Sequence, residues 1–246
     1  MPLICSIEKV IKNKKIQEGI YEIHIEGNFQ GIPGQFYMLK PLQGNILLPR
    51  PISIYDVKDN YISFLYQVVG EGTDLMKNLN KGDEIQIMGP LGNGFNIEDI
   101  SGKVALVAGG IGIAPMVYLS QKLGKCEVDF YAGFRTVDYS VDNVEKNVNK
   151  VEIATEQGIK GHKGYVTDLL KPEKYDIVIT CGPTVMMKKV VKMCMEQETK
   201  VLVSMENRMA CGLGACLGCT CKTKEGNKTV CKTGPVFIGE DLIWND

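Results

Sequence analysis

The chain has 246 residues, enough for one to three compact units with cores of their own. Hydrophobic residues make up 44% of the chain and charged residues 23%, a composition that argues against disorder. The formal net charge of −1 argues against nucleic acid as a bulk partner. We therefore expect a folded protein that does not bind nucleic acid.

Residues 1–100 carry the pattern of an antiparallel β unit. Apolar and polar residues alternate at 21–25 and at 84–88, and the run at 61–69 is rich in β-forming residues. Short sequences rich in Gly, Asn and Asp separate these runs and indicate turns. Short strands at this spacing predict a small barrel or a sandwich.

In this first unit, Arg50 and Ser53 place a guanidinium and a hydroxyl three residues apart. Arg50 lies in an extended segment, and its forked guanidinium suits the two oxygens of a pyrophosphate. The Gly72–Thr73 pair precedes a short predicted helix that begins near Asp74, whose N-terminus favours the same anion. Taken singly, these features describe a surface arginine and a turn.

From residue 101 the pattern changes to apolar runs that alternate with helical stretches. A helix is predicted from about residue 114 to 123, and a second helix buries Met187, Val190, Val191 and Cys194. The predicted strands are 104–108, 127–132, 151–154, 176–180 and 200–204. Alternating strands and helices with apolar strands predict a doubly wound parallel sheet.

One stretch of this second unit requires a test for membrane insertion. No charged residue occurs between Lys103 and Lys122, and this length barely suffices to span a bilayer. Its glycines and Pro115 favour a buried strand, a glycine turn and a helix instead. No secretory signal precedes Pro2. We therefore expect a cytoplasmic protein without a membrane partner.

Two loops of the second unit follow strands and precede helices. Glycines in such loops let phosphates approach the helix N-terminus, where free N–H groups favour anions. The loops contain Gly109, Gly110 and Gly112, and Cys181, Gly182 and Pro183. Together they predict a nucleotide site at the carboxyl edge of the sheet. Either loop alone is equally well explained as an ordinary tight turn.

The C-terminal tail carries a cysteine motif. Cys211, Cys216 and Cys219 have the C-x4-C-x2-C spacing of the plant-type [2Fe-2S] loop, and Cys231 supplies a fourth thiol. Glycines lie between the first three cysteines, where the chain must fold tightly around a cluster. The motif predicts an iron–sulfur site in a tail too short for a core of its own.

Zinc and disulfides are the alternatives for these cysteines. Zinc ribbons usually pair two C-x2-C steps, and this tail has one. Disulfides are disfavoured by the odd total of nine cysteines. Cys221 is a further possible ligand, but its spacing from Cys219 is short for two ligands of one rigid cluster. Cys231 is therefore the better fourth ligand.

In combination, these motifs resemble the ferredoxin-reductase superfamily. More closely, the chain is similar to the electron-transfer subunits of the NAD-linked, two-subunit dihydroorotate dehydrogenases of bacteria. The resemblance covers essentially the whole chain and is most specific at residues 205–216. It implies an antiparallel flavin-binding β-barrel over 1–100, an NAD-binding α/β domain over 101–204 and a [2Fe-2S] domain over 205–246.

The resemblance also implies the cofactors and their residues. NAD would bind at the two glycine loops, and Cys211, Cys216, Cys219 and Cys231 would ligate the cluster. FAD would be held by Arg50, Pro51, Ile52, Ser53, Leu65, Tyr66, Gln67, Gly72 and Thr73. Ile52 stands where the superfamily usually has a tyrosine stacked on the flavin, so that stacking contact is lost.

By the same resemblance, electrons would pass from the FMN of a dihydroorotate dehydrogenase catalytic subunit through [2Fe-2S] and FAD to NAD+, in pyrimidine biosynthesis. Two copies of each chain would form a heterotetramer, and no catalytic residue for orotate chemistry is expected here. The tail residues expected to pack on the nucleotide domain or the partner are Leu213, Leu217, Val236, Phe237, Ile238 and Trp244.

Two other functions fit the same motifs. One is a diaphorase subunit that serves a hydrogenase, a sulfur reductase or ferredoxin. The other is a zinc-stapled, nucleotide-binding regulatory module without redox turnover. The choice between NAD and NADP also stays open, because Arg135 follows a predicted strand where it could meet a 2′-phosphate.

Overall fold

The computed structural model describes residues 3–244. Its first part is a closed antiparallel barrel of six strands. The strands are β1 (Ile4–Gln17), β2 (Ile20–Glu26), β3 (Phe36–Pro41), β4 (Arg50–Lys58), β5 (Tyr61–Gln67) and β6 (Glu84–Leu91). They follow the order β1-β2-β5-β4-β3-β6, and β6 pairs back with β1. The barrel interior is filled by buried side chains, among them Ile23, Leu39 and Phe64. A short helix, α1 (Glu71–Lys77), connects β5 to β6.

The second part is a sheet whose six consecutive parallel strands are joined by one antiparallel edge strand from the tail. The parallel strands are β7 (Lys103–Gly109), β8 (Glu127–Phe134), β9 (Lys150–Thr155), β10 (His162–Lys163), β11 (Ile177–Cys181) and β12 (Lys200–Ser204). Their order is β10-β9-β8-β7-β11-β12. Helices α2 (Ile113–Ser120) and α3 (Asp142–Glu145) cover one face, and α4 (Thr184–Glu196) covers the other.

The tail forms a hairpin and then returns to the sheet. The hairpin strands are β13 (Thr220–Thr223) and β14 (Gly226–Thr229), and β15 (Val236–Ile238) pairs antiparallel with β12. The tail is therefore tied to the second part by main-chain hydrogen bonds as well as by packing. The domain bounds proposed from the sequence stay predictions, and their outermost residues, 1–2 and 245–246, lie outside the described residues.

The barrel and the sheet pack directly against each other through α2 and α3. Tyr118 of α2 donates a hydrogen bond of 2.9 Å to the carbonyl of Gly31 in the barrel. Asn143 of α3 donates one of 2.7 Å to the hydroxyl of Tyr55 on β4. These contacts fix the position of the sheet edge beside the barrel. None of the helices in residues 3–244 has the length and apolarity needed to cross a membrane.

Candidate functional site

A cleft of about 570 Å³, here called the first cleft, lies between the barrel and the sheet. Its barrel side is built from β4, β5 and the start of α1. All of the residues predicted to hold FAD line it except Gly72; they are Arg50, Pro51, Ile52, Ser53, Leu65, Tyr66, Gln67 and Thr73. Ile111 and Ala114, at the start of α2, contribute from the sheet side. The sequence-predicted flavin residues are thus brought together around one cavity.

Gly72 lies directly behind the guanidinium of Arg50. A Cβ atom added to Gly72 would lie 2.4 Å from Arg50 Cζ, so any other residue would displace the guanidinium. Arg50 Nη1 also donates to the carbonyl of Leu48, which holds its side chain in place. The hydroxyl of Thr73 accepts a hydrogen bond of 3.0 Å from the Val69 N–H. The structure therefore contains a formed cationic cradle suited to a pyrophosphate.

The far wall of the first cleft comes from the tail, and the sequence did not reveal it. Residues 205–209 line the cleft, together with Pro235. Glu206 is open to the cleft but enclosed by protein on its other sides, and this desolvation raises the pKa of its carboxyl. Cys181 Sγ lies 3.9 Å from Glu206 Oε1, and burial raises the pKa of the Cys181 thiol. This wall therefore carries a carboxyl group that favours its protonated form and contacts a buried thiol behind the cleft.

A second cleft of about 580 Å³ lies at the carboxyl edge of the sheet and shares Gln67 with the first. Gly109, Gly110 and Pro183 line it, as predicted for a nucleotide site. Charged residues also line this cleft, and they comprise Arg135, Glu156 and Lys189.

The remaining residues predicted for the nucleotide lie behind the wall of the second cleft. A Cβ on Gly112 would lie 2.4 Å from the carbonyl oxygen of Cys181, and one on Gly182 would lie 2.8 Å from that of Gly109. The glycines let the two loops approach backbone to backbone. Their observed contribution is thus to hold the cleft wall together, and a direct contact with nucleotide stays a prediction for Gly112, Cys181 and Gly182.

The cysteine loop directs backbone N–H groups at its thiols. The N–H groups of Leu213 and Cys216 lie 3.4 Å and 3.5 Å from Cys211 Sγ. The N–H of Gly214 lies 3.1 Å from Cys231 Sγ. The hydrogen bonds from Cys216 and Leu213 lower the pKa of Cys211 to about 6. Such donors stabilise thiolates, which are the form that binds iron.

Comparison with known proteins decides the family. A sequence model of the iron–sulfur cluster binding domain of dihydroorotate dehydrogenase B matches residues 206–243. The dihydroorotate dehydrogenase B (NAD(+)) electron transfer subunit of Clostridium acetobutylicum is 59% identical over 98% of this chain and 98% of its own length. The subunit of the same description from Clostridium perfringens is 52% identical over 95% of this chain and 96% of its own. The chain belongs to this family of electron transfer subunits.

Solved structures agree with the family assignment. An NADH-dependent reduced ferredoxin-NADP oxidoreductase, studied for flavin-based electron bifurcation, aligns with a TM-score of 0.87 and 29% identity over 97% of this chain and 90% of that chain. The ferredoxin reductase of carbazole 1,9a-dioxygenase aligns with a TM-score of 0.69 and 18% identity over 81% of this chain and 67% of that one, which shows the fold alone. The predicted family and the predicted barrel and parallel-sheet architecture are confirmed.

The four cysteines expected of a dihydroorotate dehydrogenase B electron transfer subunit lie in two pairs. The Cys211 side chain interacts with that of Cys216, and the Cys231 side chain with that of Cys219. Within residues 3–244, no three Cys, His, Asp or Glu side chains converge as ligands of one ion. Four thiols, with backbone N–H groups directed at Cys211, Cys219 and Cys231, form the all-cysteine donor set that a two-iron cluster uses. The residues present therefore fit [2Fe-2S].

The two cysteine pairs differ in exposure. Cys219 and Cys231 are buried, whereas Cys216 is exposed at the surface. Cys221 belongs to neither pair: it lies on β13 opposite Lys228, and burial raises the pKa of its thiol. This placement agrees with Cys231 as the fourth ligand, and the ligand assignment itself stays a prediction.

Proposed function

We propose that the chain relays electrons from the FMN of a dihydroorotate dehydrogenase catalytic subunit, through [2Fe-2S] and FAD, to NAD+. The observation that carries this proposal is the course of the tail. Residues 205–209 line the first cleft, the cysteine loop follows at once, and Pro235 returns to the same cleft. The cluster residues and the flavin residues are therefore covalently continuous and adjacent in space.

The cofactors of the family suit the chemistry of such a relay. A nicotinamide exchanges a hydride, an iron–sulfur cluster takes single electrons, and a flavin between them does both. The protein supplies the geometry. Arg50 and Gly72 offer the pyrophosphate cradle, and Gln67 lies on the border of the two clefts, where nicotinamide would meet the flavin. Orotate chemistry belongs to the catalytic subunit, as expected from the family.

The surface around Cys216 supplies the contact with that catalytic subunit. Leu213 is 48% exposed and Leu217 is 64% exposed, beside the exposed thiol of Cys216. In contrast, Phe237 is buried against the sheet. The cysteine loop thus carries apolar side chains that the described residues leave about half exposed or more, at the place where electrons would enter. We propose a cytoplasmic heterotetramer with two copies of each chain.

Cofactor analysis and a diaphorase assay test this proposal on the isolated chain. The purified protein should carry one FAD and two irons per chain. It should reduce an artificial acceptor with NADH and should leave dihydroorotate unoxidised. Zinc in place of iron would contradict the redox assignment, and dihydroorotate oxidation by the isolated chain would contradict the division of labour between subunits.

A ferredoxin-linked diaphorase is the second candidate, and one observation favours it. The NADH-dependent ferredoxin-NADP oxidoreductase structure matches 97% of this chain. Titration of the NADH-reduced chain with ferredoxin and, separately, with the dihydroorotate dehydrogenase catalytic subunit distinguishes the two. Preferential binding and electron transfer to the catalytic subunit supports the primary proposal, whereas preference for ferredoxin supports the alternative.

A further inference from the structure

Asn93, in the turn after β6, binds three consecutive carbonyl groups of the tail. Its side-chain Nδ2 donates hydrogen bonds of 3.1 Å to the Lys232 carbonyl and 3.0 Å to the Thr233 carbonyl. Its backbone N–H donates one of 2.7 Å to the Gly234 carbonyl. One residue of the barrel therefore grips the segment that directly follows Cys231.

The segment that Asn93 holds, residues 232–234, joins the two redox sites. Cys231, the predicted fourth cluster ligand, lies at one end, and Pro235, which lines the first cleft, lies at the other. The Pro235 carbonyl accepts a hydrogen bond of 2.8 Å from the N–H of Met205, which also lines that cleft. A shift of residues 232–234 would therefore move the cluster ligand and the flavin wall relative to each other.

The turn that carries Asn93 is itself held by the loop between β2 and β3 of the barrel. Gln35 Nε2 donates a hydrogen bond of 2.8 Å to the Gly92 carbonyl, and Gln35 Oε1 accepts one of 3.0 Å from the Ile32 N–H. A Cβ on Gly92 would lie 2.6 Å from Pro235 Cδ, so the turn and the tail are in close contact. The hydrogen bonds of Asn93 thus connect the tail to the barrel, the part of the chain that carries the predicted FAD residues.

We infer that Asn93 is a positioning residue that fixes the distance between the cluster and the flavin. This inference rests on the proposed relay, because it concerns the electron-transfer step between those two cofactors. Asn93 lines neither cleft and is not among the predicted ligands, so it acts through the segment that it holds. Electron transfer slows as the two centres move apart, so a shift of residues 232–234 would lower the rate of cluster reduction.

The variants Asn93→Ala and Asn93→Asp test the inference. Alanine removes both side-chain hydrogen bonds and keeps the backbone bond to Gly234, whereas aspartate keeps the shape but cannot donate. Asn96→Ala is the matched control, since Asn96 lies in the same loop and donates only to Asp99, at 2.7 Å. Stopped-flow absorbance after mixing with NADH separates flavin reduction from cluster reduction, and hydrogen exchange reports on the amides of 232–234.

In both Asn93 variants, flavin reduction should stay within about twofold of wild type, while cluster reduction should slow about 10- to 100-fold. Exchange at the amides of 232–234 should rise, and the electron paramagnetic resonance signal of the reduced cluster should change. Asn96→Ala should match wild type throughout. If the Asn93→Asp protein loses its cluster, the rate of cluster reduction and the amide exchange of the Asn93→Ala protein test the inference.

Unchanged cluster reduction and unchanged exchange in Asn93→Ala would overturn the inference. Failure of NADH to reduce the cluster of the wild-type chain would instead overturn the proposed relay. The two failures are therefore distinguishable in a single experiment, without the partner subunit.

Discussion

Cys216 and Cys221 differ in position although both lie near the buried Cys219. Cys216 is exposed and pairs with Cys211, whereas Cys221 lies on the hairpin strand β13, opposite Lys228. Cys221→Ser should therefore leave the visible spectrum of the cluster intact. Cys216→Ser should bleach the cluster and destabilise the tail, because ligand loss removes the metal's contribution to folding. Absorbance and iron content measure both effects, and a cluster that requires Cys221 but survives Cys231→Ser would reject Cys231 as the fourth ligand.

Glu156 carries the negative charge among the residues that line the second cleft. Of the cations there, Lys189 is paired with Asp168 at 3.3 Å, and Arg135 is exposed. An acidic side chain at the nucleotide end of such a sheet binds a ribose hydroxyl and repels a 2′-phosphate. Glu156→Lys should therefore raise kcat/KM for NADPH by about tenfold or more, equivalent to about 1.4 kcal/mol.

Glu152→Lys is the matched control for Glu156→Lys, because Glu152 lies on β9, the strand that Glu156 directly follows, pairs with Lys150 and does not line the cleft. Diaphorase assays with NADH and NADPH measure the preference. If the two variants gave the same preference, Glu156 would have no special part in selecting the cofactor.

Residue types and their spacing predicted much of the candidate site. Arg50 and Thr73 could be found because a forked cation and a glycine turn suggest a phosphate, and Cys211 because its spacing to Cys216 and Cys219 is specific. Residues 205–209 could not be found as a flavin wall, because their place in the first cleft depends on the return of the tail to the sheet. That return depends on contacts distant in sequence, which local pattern does not encode.

At the scale of elements, strand β2 contains a half-buried ionic contact. Glu22 accepts hydrogen bonds from His24 and from Lys12, the latter at 3.0 Å, and these contacts lower the pKa of Glu22 to about 2. Because the folded pKa lies below the unfolded value of about 4.3, the stabilisation is complete above that value and is lost as the pH falls towards 2.

Glu22→Gln should therefore lower the free energy of unfolding of the barrel by about 2 kcal/mol at pH 7. The difference from wild type should shrink below about pH 4 and disappear near pH 2. Hydrogen exchange at the β2 amides measures this difference in the free energy of unfolding. Glu26→Gln, at the exposed end of β2, is the control. A pH-independent difference would show that packing, not charge, explains the effect.

The strands that the sequence predicted are those with clear apolar patterns, such as β7 and β11. The pattern did not predict β1, where four lysines interrupt the alternation and the register shifts twice against β2. It also missed β3, a short strand that ends at Pro41. Closure of the barrel depends on the pairing of β1 with β6, so barrel and sandwich could not be separated from the strand pattern alone.

At the scale of the whole molecule, the cysteine loop is the surface proposed to bind the partner. Leu217 has a φ of +57°, a conformation that costs a leucine free energy, yet its side chain is 64% exposed. Leu217→Gly should relieve that strain, so stability should not fall, while affinity for the catalytic subunit should drop about tenfold or more. Leu47→Ala serves as the control, because Leu47 is an exposed leucine in the β3–β4 loop. The exposed Val185 is not used, because it lies in helix α4.

Calorimetric titration with the catalytic subunit and thermal melting of the isolated chain measure the two effects of Leu217→Gly separately. Equal affinity in the Leu217→Gly variant and in wild type would place the docking surface elsewhere.

NAD+-dependent dihydroorotate oxidation by the reconstituted complex tests the relay most directly. We predict that neither subunit alone forms NADH from dihydroorotate and NAD+, and that the mixture does. Cys216→Ser in this chain should abolish that activity and spare hydride exchange between NADH and FAD. Full activity of the complex with Cys216→Ser would contradict the account, because electrons would then reach NAD+ without the cluster.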